Sequence, residues 1–98
     1  MNWKFDQAPN VACITCRPVM DGSPVLVVTH YKDDHSWAFL DGQVFDQSEA
    51  LLVAMSTVIE VHPCLHEIAH LAAGWTATRA APDEPWTKQQ DTWVPEEA

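Results

Sequence analysis

The chain has 98 residues, and 14 carboxylates against five lysines and arginines give it a formal net charge of −9. With 47% hydrophobic residues and five tryptophans, it has the composition of one compact domain and not of a disordered segment. The charge repels phosphate backbones and so disfavours nucleic acid, and no apolar run approaches the ~18 residues of a membrane span. The opening MNWKFDQAPN lacks the basic-then-apolar layout of a secretory signal, so the expected compartment is the cytoplasm.

NVACITCRPVM, rich in β-branched and small residues, predicts a first strand, and DGSP a turn. VLVVTHY predicts a second strand, KDDH another turn, and SWAFL a third, half-buried strand. Short connections make these three an antiparallel meander. LLVAM follows as a fourth strand or as a helix start. Ser56 suits the N-cap of a short helix through TVIEV. Pro63 interrupts it and opens a second helix over roughly 64–73, which Gly74 ends in a left-handed conformation. WTATR reads as a last strand. Beyond Ala81 the prolines predict an irregular C-terminus. The expectation is a single domain over 1–98, ordered over about 10–86, with 87–98 a mobile tail. The fold class is α+β, a small antiparallel sheet of about four to five strands with one or two short helices packed on one face.

Three stretches carry chemistry-bearing residues. HEIAH fits H-E-x-x-H, in which one helix turn supplies zinc with two imidazoles (His66, His70) and a general base (Glu67). A third ligand at the usual spacing is missing, because Ala73 and Thr76 stand where a glycine and a histidine belong. Leu65, Ile68, Ala69 and Ala72 define the buried stripe, which turns both histidines toward the rim or solvent. Zinc through HEIAH is therefore the alternative, and no cofactor is the primary expectation. The pair Cys13 and Cys16 has C-x-x-C spacing, but on a strand the thiols diverge, so small core residues are the better reading and a redox role stays open. THYKDDHSW gathers His30, Asp33, Asp34 and His35 on a hairpin that could hold a hard or borderline cation, or could be a solvated turn. Trp37 and Trp75 fall in or beside the core. Trp3, Trp86 and Trp93 fall in loops or tails, where exposed aromatics beside carboxylates suit a protein-binding surface or cover the edges of a small core.

Three longer stretches, ACITCRPVMDGSPVLVVTH, DDHSWAFLDGQ and STVIEVHPCLHEIAHLAAGWTATR, together resemble a small bacterial family of uncharacterised function, grouped with immunity proteins of toxin–antitoxin-like systems. The resemblance covers about residues 10–86 and marks Trp37, Phe39, Gly42, Pro63, Gly74 and Arg79. His62 stands where that family has an acidic residue, and Ser36 where it has glycine. The resemblance implies no catalytic activity. It implies binding, with a basic protein such as a toxin domain as partner. The candidate binding residues are then Trp37, Asp33, Asp34, Trp75, Arg79 and Trp86, in a non-enzymatic acidic module.

Overall fold

The structure is a computed structural model and describes residues 3–33, 35–42 and 47–90. Strand β1 spans Ala12–Cys16 and runs directly into a one-turn helix, α1 (Arg17–Met20). Pro18 sits in the first turn of α1. It has no N–H for a sheet ladder and its fixed φ suits a helix start, which is why the expected strand over 10–20 stops at Cys16. Strands β2 (Val27–His30) and β3 (Trp37–Leu40) form an antiparallel hairpin. After a 3₁₀ turn at Gln47–Glu49 come β4 (Ala50–Ala54) and helix α2 (Met55–Val61). A 3₁₀ stretch at Pro63–Ile68 precedes β5 (Trp75–Thr78) and β6 (Thr87–Gln90).

The α+β class holds, but the sheet is larger than expected and mixed. It has six strands in the order β4-β1-β3-β2-β5-β6. Instead of the expected meander, β1 pairs in parallel with β3 (Ile14↔Ala38) and antiparallel with β4. Two further corrections lie toward the C-terminus. Thr87–Gln90, expected in a mobile tail, pairs antiparallel with β5 as an edge strand. The helix expected over roughly 64–73 is the 3₁₀ stretch alone; Gly74 keeps its left-handed conformation at φ 88°.

The ladder registers fix what shares a face. Trp37, His30 and Trp75 lie in one cross-strand row, and Phe39, Val28 and Ala77 in the next. Side chains two apart on a strand point the same way, so all six face one side of the sheet. There they meet α2, the 3₁₀ stretch and Phe5 of the N-terminal segment, in a core that includes Met55, Val58, Leu65 and Ile68. Helix α2 has no side-chain cap, and Ser56 is not its N-cap. The first N–H groups of α2 are satisfied from outside: Met55 donates to the Val11 carbonyl and Ser56 to the Pro9 carbonyl, both at 2.9 Å. The N-terminal segment is thereby tied across the helix start.

Candidate metal centre

His30 ends β2 on the core face, and only 5% of its side chain is exposed. Its imidazole stacks on the Trp37 indole, with centroids 4.0 Å apart and planes 15° off parallel. Nδ1 lies 2.8 Å from the Leu71 carbonyl oxygen. A carbonyl can only accept, so Nδ1 carries a proton, and in the neutral ring Nε2 keeps its lone pair. Buried Nε2 has no hydrogen-bond partner and lies 3.2 Å from Asp6 Oδ2.

Asp6 reaches this place because its neighbour Phe5 is buried against Trp37, Phe39 and His66. The Trp37 indole N–H donates to Asp6 Oδ1 at 3.0 Å, which aims Oδ2 at the histidines. His35 supplies the third group, its Nδ1 3.8 Å from Asp6 Oδ2. It is the one non-glycine residue with positive φ, 61°, among the described residues. That conformation is uncommon outside glycine, and the His35 ring stands edge-on to His30 with centroids 5.9 Å apart. Gln7 Nε2 donates to the His35 carbonyl at 3.1 Å, and Tyr31 N–H closes the hairpin on the Ser36 carbonyl.

Two imidazole nitrogens and one carboxylate oxygen thus lie within 4.8 Å of one another. An ion about 2.1 Å from each donor in a tetrahedral array would hold the donors about 3.4 Å apart, between the two measured separations. The donor set suits zinc and its borderline neighbours, whereas calcium and magnesium prefer all-oxygen sites. A ligating histidine with its other N–H on a backbone carbonyl, and a carboxylate held by an indole, are the supports such ions usually have. Asp6 and His35 are 43% and 58% exposed, so the remaining coordination positions face water.

The sequence singled out His30 and His35 but matched them with Asp33 and Asp34. Asp33 is exposed and is not in the cluster, and Asp34 lies outside the described residues. Asp6 was missed; its one signal was the pair Trp3 and Phe5, aromatics that would press an N-terminal segment, and Asp6 with it, onto the sheet.

HEIAH does not converge. His66 packs edge-on against Trp3 and tilted against Phe5. Glu67 accepts a 2.9 Å hydrogen bond from the Trp86 indole and lies 3.5 Å from Arg79. His70 Nε2 accepts from Lys88 at 2.6 Å. No group of three potential ligands among the described residues includes His66 or His70. The candidate binding residues differ in exposure, and Asp34 lies outside the described residues. Trp37 is wholly buried, so its place on a contact surface is corrected to a core position beneath the cluster. Trp75 and Trp86 are half-buried. The Arg79 guanidinium donates twice to the Val25 carbonyl and stacks 4.2 Å from the Trp86 ring centre. Cys13 and Cys16 are free and buried, and Cys64 is free and exposed.

No family model, no curated protein and no solved structure matches this chain. Among the described residues no helix is long and apolar enough to cross a membrane.

Proposed function

We propose that this chain binds a borderline divalent transition ion of the zinc type through Asp6 Oδ2, His30 Nε2 and His35 Nδ1. One observation carries the reading. The buried Nε2 of His30, whose Nδ1–H is taken by the Leu71 carbonyl, lies 3.2 Å from a carboxylate oxygen and has no hydrogen-bond partner. Two lone pairs at that distance repel unless a cation lies between them. A bound proton, making an imidazolium–carboxylate pair, is the competing occupant. The second histidine favours the metal, because a proton needs only one acceptor whereas a metal ion gathers several. The reading is of ion binding and assigns no reaction.

The test is zinc titration of untagged protein by calorimetry, with metal analysis after dialysis. One ion per chain is expected, with affinity lowered more than about 100-fold in Asp6→Asn and in His35→Ala, since each removes a direct ligand. Absence of stoichiometric ion, or binding that survives both substitutions and disappears in His66→Ala, overturns the proposal. The second result would return the ion to HEIAH.

A further inference from the structure

A second feature of the N-terminal segment lies on its other side. Trp3 and Pro9 of this segment, with Ser56, Ile59 and Glu60 of α2, line an open cleft of about 230 Å³. We propose that this cleft receives one lysine or arginine side chain of a basic partner protein, its aliphatic stem against Trp3 and Ile59 and its charge on Glu60.

The lining is mostly apolar, with one carboxylate in it. Glu60 is exposed and makes no hydrogen bond or ion pair among the described residues. Trp3 is fixed: its indole N–H donates to the Gln7 carbonyl at 2.6 Å, and its ring packs on Phe5 and His66. The far wall is equally firm, because Ile59 is a buried core residue of α2 and the Ser56 N–H is tied to Pro9. A rigid aromatic beside a carboxylate with no partner among the described residues is the pairing that holds a cation on an apolar stem. The volume is below the roughly 300–1,000 Å³ of small-molecule sites but admits a single long side chain. The net charge of −9 adds long-range attraction for a basic surface.

The test titrates N-acetyl-arginine methylamide into the full chain, followed by NMR at the Trp3 indole N–H and the Ile59 methyls. Its uncharged analogue, N-acetyl-citrulline methylamide, is titrated in parallel. Saturable shifts at Trp3, Ser56 and Ile59 are expected with arginine. They should weaken about fivefold, the scale of a half-exposed ion pair, with citrulline and in Glu60→Gln. Glu60 is exposed, so that variant keeps its fold, which its unchanged spectrum elsewhere will verify. Three results overturn the proposal: no saturable shift, equal shifts with citrulline, or an equal loss of binding in Asp83→Asn, which would mean attraction to any surface carboxylate.

Discussion

At the residue scale, Trp37 does two jobs. Its ring supports His30 from below, and its N–H holds the outer oxygen of Asp6. Trp37→Phe keeps most of the ring and removes the donor. It should therefore lower zinc affinity by about 10–100-fold, read by calorimetry, while the chain stays folded. The cysteines divide by burial. Desolvation of the thiolate pushes the Cys13 pKa up from its ordinary 9.0 to about 12. In the native protein near pH 8 a disulfide-type thiol reagent should titrate Cys64 at once, and Cys13 and Cys16 only on unfolding. The raised value also sets a sign. Between pH 9 and about 12 the unfolded chain loses the Cys13 proton and the folded chain keeps it. The stability linked to this group is fully present below pH 9 and is lost as pH rises through that window, by up to about 1.4 kcal/mol per pH unit. Denaturant melts of the wild type and Cys13→Ala should converge as the buffer is made alkaline. His30 and His35 were legible in the sequence because one tight hairpin brings them together. Asp6 was not, because nothing local to it says which strand end it will meet.

At the element scale, the region after α2 shows why the helix expected over 64–73 did not form. Pro63 restrains His62, which leaves the helical region at φ −130°, ψ 72°, and the chain resumes as 3₁₀. At about 100° per residue, side chains four apart sit about 40° apart around an α-helix. At about 120° per residue they sit about 120° apart. The 3₁₀ winding ends at Ile68 and His70 falls in the turn after it, so His66 and His70 share no regular helix face, and Leu71 takes the buried place that α-periodicity gives to Ala72. Strand β6 was hidden for another reason. TKQQ is exposed at every position, so no alternation marks it. It is held by pairing with β5 and by the Arg79–Trp86–Glu67 contact at the turn before it. Arg79→Ala would leave the Val25 carbonyl without its guanidinium donors, costing about 1–3 kcal/mol. Amide exchange should then speed up at Thr87–Gln90 more than in β2 or β3.

At the scale of the whole molecule, the ion would join two parts of the chain, the N-terminal segment and the β2–β3 hairpin. An ion that binds only the folded state stabilises it by about 2.7 kcal/mol at 100 times its dissociation constant. For a domain this size that corresponds to a Tm rise of roughly ten degrees or more. Calorimetric melts should show it for the wild type with zinc and not for Asp6→Asn. The α+β class was legible in the alternating strands and short helices; the parallel pairing was not, since short turns suggested neighbours in sequence would be neighbours in the sheet. That pairing has a consequence in time. β2 and β3 can zip together through a short loop, whereas both partners of β1, the strands β3 and β4, lie further away along the chain. Asp6 lies upstream of β1, so the two histidines meet early and the carboxylate arrives late. During folding a metal ion would first find an incomplete chelate on the hairpin, and its tight capture would mark the moment when residues 3–10 close over the sheet.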